Sequence, residues 1–431
     1  MNAFAMRACL IGWVTLFLAA PCSAQWRDHT IQLLNGPASP IPVGAKVQIV
    51  SESWKRVVAV PYIVHMPEKQ RLLMLVGCDY PHHPEVLHSD DGGNTWSAPR
   101  RVVADGAPVG GLGTCLTYLG EGEVLFLTGD RRWVSRDYGE TWTAGSVVAP
   151  TVDGKPWYTW DPLWADRDPV SGAVTRLIET GYTWHRAPEV AKDHQQGYLR
   201  FSNDRGATWT ESIKVPAWEE VSEVALVRAA NGELVAACRT DIPPSKAGEW
   251  IDHFEGLGIS ISRDDGQTWS AVEKLYDYGR HHPSLVLLPD GRLLMTYVVR
   301  KGYVDTAEGY PQFGIEAILS ADNGRTWDLD HRYILHAWRG NRLGENKWWA
   351  SCQATSTVLL QDGTLLTAFG TGYRSEPDAA GANPSPRDAG LLRWTLSDAP
   401  LDDTRAVRDA PVDSDGRNVV DPGPLPLPPA E

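Results

Sequence analysis

Two His-His-Pro triplets, at 82–84 and 281–283, each sit beside a short apolar run. Paired imidazoles can ligate a metal, move protons near neutral pH, or hydrogen-bond to sugar hydroxyls. For His281 and His282 the expected use is lining a sugar groove, and no metal is expected. Acidic and basic residues hold comparable places at the ends of apolar runs. Asp79 lies in VGCDYPHHPEVLHS, followed by His82 and His83; Asp161 lies in YTWDPLW, and Glu179 in RLIETGYTW. Glu223 opens and Arg239 closes SEVALVRAANGELVAACRTD, Arg300 ends LLMTYVVR, and Arg374 ends GTGYR. Each reads singly as a solvated charge at a strand end. Gathered at one end of neighbouring strands, they would make a site with carboxyls for proton transfer and guanidiniums for an anion. Trp157, Trp160, Trp164 and Trp184 crowd the same region, where they would either stack on pyranose rings or pack beneath an insertion.

Strands must position these groups. The frame S-x-D-x-G-x-T-W occurs five times, as SDDGGNTW at 89, SRDYGETW at 135, SNDRGATW at 202, SRDDGQTW at 262 and SADNGRTW at 320. Asp and Gly suit a tight turn with a positive-φ position, and the Trp can pack back on the flanking strands. Pairs of apolar runs joined by a Gly-containing turn lie upstream of later frames, as CLTYLGEGEVLFLT, ALVRAANGELVAAC and SLVLLPDGRLLMTY, and once after the last frame, as STVLLQDGTLLTAF. These read as hairpins. A hairpin plus a framed hairpin is a four-stranded antiparallel unit, and such units recurring in line predict an all-β propeller. The expectation is six blades, with seven as the alternative; DHTIQLL at 28–34 would supply the outer strand that closes the ring.

With 431 residues, 42% of them hydrophobic, the chain can bury a large core. Its formal charge of −14 argues against nucleic acid and anionic membrane surfaces as partners. Arg7, the apolar run from Ala8 to Ala20 and the small residues that follow read as a secretory signal cleaved after Ala24. The expected divisions are therefore signal 1–24, propeller 25–400, and a Pro-rich disordered tail 401–431. A secreted or periplasmic monomer without a stable membrane anchor is expected. Cys78, Cys115, Cys238 and Cys352 match no zinc spacing and read as buried thiols, with one disulfide possible in an oxidising compartment. No cofactor motif is present.

The repeated frame and its spacing resemble the sialidase (neuraminidase) superfamily, whose Asp-box repeats sit on a six-bladed propeller. The resemblance covers the mature chain. It implies that the boxes lie on a rim away from the chemistry, and that three arginines, a Tyr–Glu pair and an Asp act on a sialoside. On this resemblance Glu223 matches the Glu, Arg239 the second arginine, Arg300 the third, and Asp79 the acid/base, with His82 or His83 able to take its place. The family's first arginine and its Tyr fall on Ala59 and Ala354; Arg56 would substitute only if its strand bulged. Tyr158, Tyr182, Tyr303 and Tyr310 could replace the phenol. The implied activity is exo-hydrolysis of a terminal acidic sugar from a glycan. Another glycosidase, a uronate lyase and a non-catalytic carbohydrate-binding propeller remain as alternatives.

Overall fold

The structure, a computed structural model, describes residues 24–185, 194–241, 255–300, 312–339, 354–374 and 386–402. The signal segment before Ala24, the tail from 403, Cys352, Tyr303, Tyr310 and most of the loop 375–389 lie outside these residues. The described residues are all-β and propeller-like, with one three-residue 3-10 turn and no helix long and apolar enough to cross a membrane.

Four antiparallel sheets have four strands each, and their innermost strands are Val58–Met66, Thr114–Gly120, Trp164–Arg167 and Val221–Arg228. A nine-stranded sheet begins on Arg280–Leu287 and ends on Thr355–Leu359. The four hairpins read from the sequence form as expected, with Val227 opposite Val235 and Val358 opposite Leu366 among their pairs. The second strand of a sheet is covered on both faces, so Arg71–Cys78, Leu234–Thr240 and Leu293–Arg300 are buried at every position. That explains why they read as continuous apolar runs and not as alternating ones.

The closing strand differs from the expectation. Ala38–Ile49 pairs with Arg387–Trp394, while Arg27–Asn35 runs between Ala38–Ile49 and Tyr333–Arg339 and couples them. Pro40, Pro42 and Gly44 obscure the strand Ala38–Ile49 in the sequence, because such residues normally argue against a strand.

All five frames close with the same bonds. In the first, the Gly93 N–H donates to Ser89 Oγ at 2.8 Å, the Thr95 N–H to Asp91 Oδ1 at 2.9 Å, and Thr95 Oγ1 to Asp91 Oδ2 at 2.7 Å. The last repeats this through Ser320, Asp322, Gly324 and Thr326. The turn needs two consecutive left-handed residues, the Gly and the one before it: Tyr138, Arg205, Asp265 and Asn323 all have φ between 58° and 65°.

Four of the inner strands share a second feature, at the opposite end. Ala59 faces Gly77 but Tyr62 faces Leu75; Thr114 faces Leu127 but Thr117 faces Leu125. Val221 faces Thr240 but Val224 faces Cys238, and His281 faces Val298 but Ser284 faces Thr296. Each carries one extra residue near its start, a β-bulge that re-aims the local side chains. Val60, Cys115 and His282 take positive φ there, an uncommon conformation for residues with a Cβ. The innermost strands of the four four-stranded sheets and both end strands of the nine-stranded sheet line one cavity of about 960 Å³.

Candidate active site

Glu223 sits in the bulge of its strand and is buried. Arg239, at the end of the paired strand, donates from Nη1 to Glu223 Oε1 at 2.7 Å and from Nε to the Glu255 carboxylate. Gln195 Nε2 donates to the other Glu255 oxygen at 3.3 Å. From the neighbouring sheet, His282 places Nδ1 2.6 Å from Glu223 Oε2 and Nε2 3.1 Å from Arg239 Nη1. A guanidinium can only donate, so Nε2 accepts and Nδ1 carries the proton: the imidazole is neutral. Burial pushes its pKa down to about 4, against the pull of Glu223. For Glu223 burial alone would raise the pKa, but Arg239, His282 and Arg300 outweigh it and hold the carboxyl below its usual range.

Asp161 precedes the innermost strand of the third sheet and lines the cavity. It accepts the Val224 N–H, so it adjoins the residue that carries the Glu223 side chain. Val224 O is taken from the same side by Thr180 Oγ1 at 2.7 Å. Burial and the negative charge of Glu223 raise the Asp161 pKa well above its ordinary value. The two adjacent carboxyls are thus shifted in opposite directions, Asp161 up and Glu223 down. Around them stand Tyr62, whose hydroxyl donates to Trp160 O, and Tyr182, whose hydroxyl accepts Trp160 Nε1 at 3.1 Å. The Trp160 ring meets His282 at 6.1 Å between centroids.

Other expected site residues fall into separate groups. Arg300 is buried and acts electrostatically on both Glu223 and His282. His281 is fully buried with its ring 4.9 Å from that of His282. Asp79 lies in a network with Arg56, whose Nη2 donates to it at 2.7 Å and to Glu85 at 2.6 Å. His83 joins the network at 2.9 Å from Glu85, and His82 stacks on Tyr80 at 4.4 Å. The strand after Arg56 does bulge, but at 59–62, so Arg56 is spent on Asp79 and Glu85 instead of replacing the arginine absent at Ala59. The hydrogen bonds from Arg56 hold Asp79 below its ordinary pKa, which suits a structural carboxylate better than a proton donor.

Two expected ligand-binding residues are structural here. Glu179 lies fully buried between Arg132 at 2.6 Å and Arg200. Arg374 is paired with Asp388 at 2.8 Å and with Glu52 O. Of the tryptophans, Trp157 packs on Arg200 and would clash with any side chain at 181, and Trp164 donates to Asp166. Trp160 alone of that group is placed beside the carboxyl pair; the Trp184 side chain is outside the described residues. Ala354 packs in the same apolar cluster as Tyr62 and Ala59.

Sequence reading missed Glu255, Tyr62 and Arg387. Arg387 opens its strand and Glu255 directly precedes Gly256–Ser262, each just after residues outside those described, where no periodic pattern marks them. Tyr62 lies inside an apolar run, where only the bulge turns it to the cavity. Among the described residues no group of three or more His, Cys, Asp or Glu is arranged to hold a metal ion. Cys78, Cys115 and Cys238 are buried free thiols.

The BNR repeat-like domain model matches residues 39–278. No curated protein matches the chain. Among solved structures, a protein of unknown function from Dyadobacter fermentans is 18% identical, with a TM-score of 0.59 over 81% of this chain and 98% of that one. This is the same fold. A GH93 alpha-L-arabinofuranosidase of Fusarium graminearum, solved with arabinobiose, is 14% identical with a TM-score of 0.48, over 84% of this chain and 98% of that one. Trypanosoma rangeli sialidase is 13% identical with a TM-score of 0.46, over 84% of this chain and 57% of that one.

Proposed function

The chain belongs to the BNR repeat-like domain family, and on that premise we propose that it is an exported glycoside hydrolase removing a terminal acidic sugar from glycans. One observation carries the reading: Asp161, which lines the cavity, adjoins Glu223 by accepting the Val224 N–H, and their surroundings shift the two carboxyls in opposite directions. Glycoside hydrolysis asks for this division of labour, one carboxyl to protonate the leaving oxygen and one carboxylate to receive a proton. In the proposed step the Asp161 proton goes to the glycosidic oxygen as the bond to the anomeric carbon breaks. A water attacks that carbon and yields its proton to Glu223, whose geometry His282 and Arg239 fix. Proton transfer from Glu223 back to Asp161 through solvent restores the resting state.

The acid role thus passes from Asp79 to Asp161, and Arg239 positions Glu223 instead of gripping substrate. The nine-stranded sheet is read as two blades bridged by Arg27–Asn35, which makes a ring of six with five boxes. Cleavage after Ala24, export and a monomeric state belong to the same proposal.

A second reading, binding without catalysis, is favoured by the close contacts on Glu223, whose Oε1 accepts from Arg239 and whose Oε2 lies 2.6 Å from His282 Nδ1. Turnover of aryl glycosides by residues 25–431 decides between them. The panel holds a sialoside, uronides and neutral hexosides, with Glu223→Gln and Asp161→Asn beside the wild type. Turnover of an acidic glycoside that Glu223→Gln abolishes supports the hydrolase. Binding of glycans without turnover of any member refutes it.

A further inference from the structure

Asp161 stands at a junction. It accepts the Val224 N–H beside Glu223, and it lines the cavity between the inner strands. Among the described residues the wall of that cavity includes Asp161, Tyr62, Trp160 and His282 at the strand starts, but not Glu223, Arg239 or Glu255. From there the wall follows the inner strands to their other ends, where it takes in Arg167, Arg228 and Leu287. Asp265, a member of the fourth box, also belongs to it. The cavity therefore runs from Asp161 to the face that carries the boxes, and it opens there: Leu287 is 37% exposed and the Asp265 side chain 62%.

Its volume of about 960 Å³ has room for on the order of thirty waters, taking about 30 Å³ for each. Water in a cavity also needs polar partners, and the wall supplies them at intervals through Thr117, Ser284, Thr355, Ser356 and Thr357. Thr355 Oγ1 donates to His282 O at 3.0 Å, Ser284 Oγ accepts the Thr357 N–H at 3.1 Å, and Thr117 Oγ1 accepts the Leu163 N–H at 2.9 Å. A hydroxyl combines one donor with two acceptor lone pairs, so each keeps capacity for a water after these bonds. The opposite end is crowded by rings. Trp160 takes the Tyr62 hydroxyl on its carbonyl, gives its Nε1 proton to Tyr182, and meets His282.

We propose that this cavity is the route by which water and protons reach Asp161, entering from the box face on the side away from Glu223. In the proposed hydrolysis Asp161 gives its proton to the glycosidic oxygen and recovers one from a water in the cavity. The proton that Glu223 collects from the attacking water leaves on the sugar side, so each turnover takes up one proton and releases one. A sugar seated over Glu223 then leaves the reprotonation of Asp161 unobstructed. The proton supply rests on reading Asp161 as the acid; the passage itself does not.

Thiol accessibility in residues 25–431 tests it. Asp161→Cys and, with a smaller change of shape, Ser284→Cys place reporters along the cavity, each labelled by methyl methanethiosulfonate and located by mass spectrometry against the wild type. Ala230→Trp with Leu287→Trp narrows the mouth at two exposed wall positions. Val170→Trp, at a residue 94% exposed and outside the wall, is the control. The expected result is labelling of both reporters, slowed by the mouth pair at least about tenfold, equivalent to about 1.4 kcal/mol of opening free energy, and unaffected by Val170→Trp. Near-ultraviolet circular dichroism confirms the fold of each variant; should Asp161→Cys not fold, Ser284→Cys decides, and either Trp alone serves if the pair does not fold. Reporters that do not label, or that label equally fast with the mouth narrowed, overturn the route. Turnover separates the route from the hydrolase. On a glycoside that the wild type cleaves, the mouth pair should lower kcat and leave KM unchanged, and an unchanged kcat overturns the proton supply. A chain that cleaves no glycoside but labels as expected would retain the passage and refute the hydrolase.

Discussion

At the rim, five turns whose variable positions differ close on the same set of bonds from Ser, Asp, Gly and Thr. At the cavity end, the starts of the innermost strands present Tyr62, Cys115, Asp161, Glu223, His282 and Ala354, no two alike. The first region repeats because it answers one local problem, bridging two strands through two left-handed residues. The second varies because each residue answers to its neighbours across sheets. Repetition marks scaffold in this molecule, and the proposed chemistry lies where the pattern departs from it.

If that contrast holds, substitutions at the two ends should separate activity from stability. Glu223→Gln keeps the shape but removes the base, and turnover should fall by about 10²–10⁴-fold at unchanged secondary structure. Comparable loss on the rim substitution Asp137→Ala would break the contrast. Glu179→Ala leaves Arg132 and Arg200 buried without a counter-charge, and should cost about 3–5 kcal/mol in urea unfolding, with the activity of the folded fraction retained.

Asp161→Asn sharpens the acid assignment. Its loss should depend on the leaving group: about 10²-fold on natural glycosides that need protonation, and little on nitrophenyl glycosides that do not. Asp79→Asn should show no such dependence. Equal losses on both substrate types would remove Asp161 from proton transfer.

A smaller effect lies in acid. His282 and His336 are buried and both depressed from 6.5 to about 4. The unfolded chain therefore binds more protons than the folded one between these values. The stability they contribute is complete above pH about 6.5 and is lost as pH falls through about 4. His336→Gln, far from the cavity end, should remove part of this slope in Tm against pH without altering turnover; an unchanged slope would contradict the assignment. The smallest effect is expected for Asp137→Ala at the rim, which loses the bonds to Thr141 and Ser135 and should cost about 1 kcal/mol.

The difference between the regions also governs what could be read in advance. The boxes, the hairpins and the propeller-like arrangement are local patterns of turn chemistry and apolar runs, and they stand in the sequence. Glu223 and Arg239 were legible for the same reason: they bracket one hairpin. What was not legible depends on contacts between sheets. Nothing in YTWDPLW says that Asp161 will reach Val224, and nothing near Glu179 says that Arg132 and Arg200 will close on it. Nothing near Asp79 says that Arg56, 23 residues earlier, will pair with it. The strand Ala38–Ile49 was masked by its own prolines.

The proposed hydrolysis requires Asp161 protonated and its neighbour Glu223 ionised at neutral pH. Difference infrared spectroscopy at pH 7, wild type against Asp161→Asn and against Glu223→Gln, tests it most directly. The account predicts that a protonated-carboxyl carbonyl band disappears in Asp161→Asn, whereas an ionised-carboxylate band disappears in Glu223→Gln. A carboxylate band lost from both variants would show Asp161 ionised and would contradict the account.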